Sequence, residues 1–73
     1  MNILEQLTDG ARRLRERNLQ IHTANIRGAR TRRQAFARYH AYVRRAPDAL
    51  YRESLGSELM SQLHRIDARG GAA

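Results

Sequence analysis

Ser57, Ser61 and His64 recur at spacings of four and three, which on a helix gathers two hydroxyls and an imidazole on one face. Such a set is the raw material of nucleophilic catalysis. That chemistry also needs an oriented base and an oxyanion site in a sheltered pocket, and one helix of a 73-residue chain offers little shelter. A polar surface is the expected reading, and the chain is not expected to be an enzyme. His22, His40 and His64 fall on different helical segments, with no two histidines at metal-ligand spacing. Cysteine is absent, so a disulfide framework and a thiolate zinc site are both excluded. The five glycines are dispersed, which argues against a phosphate-cradling loop. Neither a cofactor nor a metal is expected.

The chemistry that the sequence does concentrate is that of guanidinium. All fourteen basic residues are arginine, and the formal net charge is +7. From Arg17 to Pro47 there are eight arginines and no acid, which is too one-sided for an ordinary salt-bridged helix surface. On the helix expected there, Arg33 and Arg44 follow one edge and Arg38 and Arg45 the other, with Ala37 and Ala41 between them. Guanidinium forks pair bidentately with carboxylates and with phosphates alike. Three readings stay open: a solvated face, an acidic protein partner, or nucleic acid bound through its phosphates. The break "RRAPDA" lacks the glycine turn of a helix-turn-helix, and no zinc-finger spacing, RNP signature or GxxG loop is present, so base readout is not expected.

Three helices must position these groups, at about 3–26, 32–46 and 48–68, in one helical domain over 1–69 with a flexible tail at 70–73. Asn2 with Glu5 and Thr31 with Gln34 have the spacing of capping boxes. Gly28 suits a helix stop, and Ala46 before Pro47 another. Gly10 and Gly56 are weak points at which the first and third helices could break. In the first helix Leu4, Leu7, Ala11, Leu14, Asn18, Ile21 and Asn25 recur three and four apart, a heptad seam in which a buried Asn18 would specify register. Leu19 and Ile26 lie off that seam, seven residues apart, as candidate partner contacts. The second helix gathers Phe36, Tyr39 and Val43 on its apolar arc, and the third carries Leu55, Leu59, Leu63 and Ile66.

Leucine, isoleucine, valine and phenylalanine together number 14 of 73 residues, a thin supply for a small core. The fold class expected is therefore all-α, a two- to three-helix bundle or hairpin, completed as a homodimer through the first helix. Core or dimer residues are expected to be Leu4, Leu7, Leu14, Asn18, Ile21, Phe36, Tyr39, Val43, Leu59 and Leu63. Partner-binding residues are expected to be Arg33, Arg38, Arg44, Arg45, Leu19 and Ile26. No apolar run suits a signal peptide or a membrane span, so a soluble, cytoplasmic protein with no membrane partner is expected.

In size, helicity and arginine-rich style the whole chain resembles the small early proteins of temperate phages of GC-rich bacteria, among them the anti-activators that bind quorum-sensing transcription factors. The resemblance implies a non-enzymatic inhibitor of a host regulatory protein with an acidic surface. It rests on no motif, so it assigns no residue a role. The alternative from the residues themselves is a nucleic-acid-binding accessory protein.

Overall fold

The computed structural model describes the backbone of residues 3–70 and the side chains of residues 8–70. Three helices follow one another: α1 (Ile3–Arg27), α2 (Arg32–Val43) and α3 (Ala49–Ala68). No strand occurs among the described residues. The side chains of Leu4 and Leu7 and residues 71–73 of the expected tail lie outside the described set.

Local chemistry accounts for the helix ends. Thr31 is extended and its hydroxyl accepts from the Gln34 amide at 3.1 Å. The Gln34 side chain answers one residue earlier than a standard box would, accepting from the Arg30 amide at 2.9 Å. Asp48 caps α3, its carboxylate accepting from the Tyr51 amide at 2.9 Å. α2 closes at Val43 rather than at Ala46. The Arg45 amide donates to the Tyr42 carbonyl and that of Ala46 to Val43, a tightened turn, because the residue before proline is pushed out of helical geometry. Gly10 and Gly56 interrupt nothing; both helices run straight through them.

The core is Ile26, Ala29, Ala35, Tyr51, Leu55, Leu59, Leu63 and Ile66, with Leu19, Tyr39, Tyr42, Val43 and Ala46 packed against it. Five of those eight come from α3, whose Tyr51–Leu55–Leu59–Leu63–Ile66 line is buried along its whole length. Leu59 and Leu63 are thus core, as expected, and Tyr39 and Val43 are half-buried beside it. Two expectations change, those for Ile26 and Phe36. Ile26 is completely buried, so it is a core residue and not a contact for a partner. Phe36 is 39% exposed, because Ala35 and Tyr39 are the positions of α2 that meet α3. Leu14 and Ile21 are 60% and 52% exposed, and Asn18 is exposed as well. Within this chain α1 packs by its Leu19–Ile26 line, not by its heptad seam.

Candidate functional site

Three of the six acids with described side chains, Asp48, Glu58 and Asp67, hold helices together. Asp48 takes a two-pronged contact from Arg15, Nε at 3.0 Å and an Nη at 2.9 Å, joining α1 to the start of α3. With that guanidinium and the Tyr51 amide both donating to it, the Asp48 carboxyl is lowered to about 2. Glu58 lies between Arg27 at 2.7 Å and Arg65 at 2.8 Å, and the Arg27 contact is the main cause that lowers its carboxyl pKa. Arg32 reaches Asp67 at 2.8 Å, tying α2 to α3. Arg38, expected on the partner-binding rim, is half-buried and donates to the Asn25 carbonyl at 2.7 Å. It therefore closes the C-terminal end of α1, where an exposed carbonyl attracts a cation, and is not free to meet a partner.

Arg33, Arg44 and Arg45 remain. All three are exposed, and none has an ion pair with a described residue. Arg33, Ala37, His40 and Arg44 recur at four, three and four, so they share the outward face of α2, and each is exposed. Phe36 borders this face, its ring 6.4 Å from that of His40 at 25°. An aromatic pair rimmed by guanidinium groups is thus open to solvent, where a buried aromatic arc was expected.

Arg45 belongs to a different feature. With Pro47 and Tyr51 it faces Leu14, Asn18 and His22 of α1 across a groove of about 510 Å³. His22 organises the floor. Its ring stacks on Tyr42 at 4.0 Å and 11°, and its Nδ1 lies 2.6 Å from the Tyr51 hydroxyl. Burial, then Arg45, lowers the His22 pKa, and burial raises that of Tyr51. Both shifts favour neutral groups, so the contact joins a neutral phenol to a neutral imidazole. The Arg15 guanidinium completes the cluster 5.6 Å above the Tyr51 ring, within cation–π range.

Sequence reasoning missed this cluster. Its members are 29 residues apart along the chain, and no local spacing signals their meeting. Leu19 is half-buried against the core, which leaves only part of it for a partner. Ser57, Ser61 and His64 are exposed on α3 and line no part of the groove. Among the described residues no three His, Cys, Asp or Glu side chains come together to hold a metal, and no helix is long and apolar enough to cross a membrane. Compared with protein-family models, with curated proteins and with solved structures, the chain matches none.

Proposed function

We propose that this chain is a non-enzymatic protein-binding module that acts as a homodimer joined through α1 and inhibits a regulatory protein, such as a transcription factor, that presents an acidic surface. One observation carries the reading. The ion pairs inside the fold use Arg15, Arg27, Arg32 and Arg65, and of the arginines left exposed without a carboxylate, Arg33 and Arg44 share the outward face of α2 with Arg45 close by. Charge-assisted hydrogen bonds from such groups are strong and geometrically selective. An exposed apolar side chain beside them, Phe36 on α2, supplies a desolvated anchor of the kind that dominates protein interfaces.

The test is site-specific photo-crosslinking from Ala37, between Arg33 and Arg44, followed by reconstitution with the purified captured protein. Arg33→Glu with Arg44→Glu should weaken that reconstituted binding at least tenfold while leaving helicity unchanged. Unchanged binding refutes the assignment.

The exposed Phe36–His40 pair favours a second reading. Single-strand binders place aromatic rings beside cationic groups so that bases stack while phosphates are neutralised. Fluorescence anisotropy with a generic labelled single strand distinguishes the two. A logarithmic salt slope reporting several phosphate contacts, lost in Phe36→Ala, supports nucleic acid. Salt-sensitive binding indifferent to Phe36 is charge alone.

A further inference from the structure

α1 carries two apolar lines. Leu19 and Ile26 make the first, and α2 and α3 pack on it. The second is the heptad seam Leu4, Leu7, Ala11, Leu14, Asn18, Ile21 and Asn25, roughly a third of a turn round the helix. Ala11, Leu14, Asn18, Ile21 and Asn25 are all exposed, and Leu14 and Ile21 keep more than half their surface in solvent. The alternation of three and four places Leu4, Ala11, Asn18 and Asn25 at a positions and Leu7, Leu14 and Ile21 at d positions.

This assignment determines what can cover the seam. In a parallel pairing each a position meets its own counterpart, so Asn18 meets Asn18 of the partner subunit and the two amides satisfy one another. In an antiparallel pairing a layers face d layers, and Asn18 would be buried against leucine or isoleucine. A buried amide without a hydrogen-bond partner is costly. From Leu4 to Asn25 the seam is about 33 Å long at the helical rise. At a helix diameter of about 10–12 Å the strip covers roughly 350 Å² per partner, less than a standard interface, so the groove walls at Arg45 and Pro47 must add to it. At the e position His22 is engaged by Tyr51 and Tyr42 of its own chain, and in a parallel pairing it would stand opposite Arg17 of the partner subunit.

From these relationships we infer that the homodimer, on whose existence this inference rests, is a parallel two-stranded coiled coil in register at Asn18. Each copy's α1 lies along the groove rimmed by Arg45 and Pro47 of the other. The two bundles then stand side by side, with both α2 arginine faces directed to the same end of the assembly.

The chain has no cysteine, so a single introduced thiol reports orientation cleanly. Asn18→Cys under mild oxidation should convert essentially all of the protein to a disulfide-linked pair. Gln20→Cys, off the seam, should react at least tenfold more slowly. Sedimentation of the unsubstituted chain should give twice the monomer mass, and Leu14→Glu should give the monomer with the same helical spectrum. A dimer that does not cross-link through Asn18→Cys overturns the register and leaves the homodimer standing. A monomer at about 100 µM overturns both and assigns the seam to a helix of another protein.

Discussion

The Tyr51 hydroxyl lies 2.6 Å from Nδ1 of His22, and this contact joins the first helix to the third at the floor of the groove. Burial favours the neutral form of both groups, so the folded state depends on the imidazole remaining neutral.

That dependence makes stability sensitive to pH in a defined direction. The His22 pKa is below its ordinary 6.5, so near that value the unfolded chain takes up a proton that the folded chain resists. Stability from this group is complete above 6.5 and declines as pH falls through it to the lower folded pKa; below that, both states are protonated and the loss stops. Asp48 and Glu58, both lowered, act only in the more acid range. The urea midpoint is expected to fall between about pH 7.5 and pH 5.5, and His22→Gln to flatten the trend. A midpoint that rises on acidification contradicts the assignment. Tyr51→Phe should cost about 1 kcal/mol at neutral pH.

Ile26 and Leu14 test which line of α1 the bundle uses. Ile26→Ala removes a completely buried side chain and should destabilise the fold by about 2–5 kcal/mol, enough to unfold a domain this small. Leu14→Ala, at a position 60% exposed, should leave the monomer's stability nearly unchanged. Chemical denaturation at low micromolar concentration checks both. Equal losses would mean that the two lines are wrongly assigned.

Gln62 is the one buried polar side chain among the described residues. Its amide nitrogen donates to the Ala29 carbonyl at 2.7 Å, and its oxygen accepts from Arg65 Nε at 2.7 Å. Leucine would fill the space but leave that carbonyl without a donor. Gln62→Leu is expected to cost about 1–3 kcal/mol despite its greater apolarity. A stabilised variant would show that water replaces the lost bond.

Gly10 sits inside α1, and beyond its chain neighbours and the helix's own backbone no heavy atom lies within 4 Å of where a Cβ would stand. Alanine there meets no obstacle and loses less backbone entropy. Gly10→Ala should stabilise the chain by about 0.5–1 kcal/mol and strengthen the 222 nm dichroism. An unchanged thermal midpoint would show that this turn of α1 contributes nothing to cooperative unfolding.

By itself the sequence determined what depends on neighbours along the chain. The three helices, the Thr31 cap, the break at Pro47 and the Leu55–Leu59–Leu63–Ile66 stripe all follow from residues within a few positions of each other. Capping and helical periodicity act over that range. Tertiary structure alone decided three other matters. It selected Leu19–Ile26 over the heptad seam as the bundle face of α1, although periodicity supports both. It turned Phe36 outward because Ala35 and Tyr39 meet α3. It also divided the arginines, committing Arg38 to the Asn25 carbonyl and Arg27 and Arg32 to acids 31 and 35 residues away, while leaving Arg33, Arg44 and Arg45 free. One arginine is chemically the same as the next in a sequence. Which carboxylate or carbonyl each can reach is settled only when the helices pack.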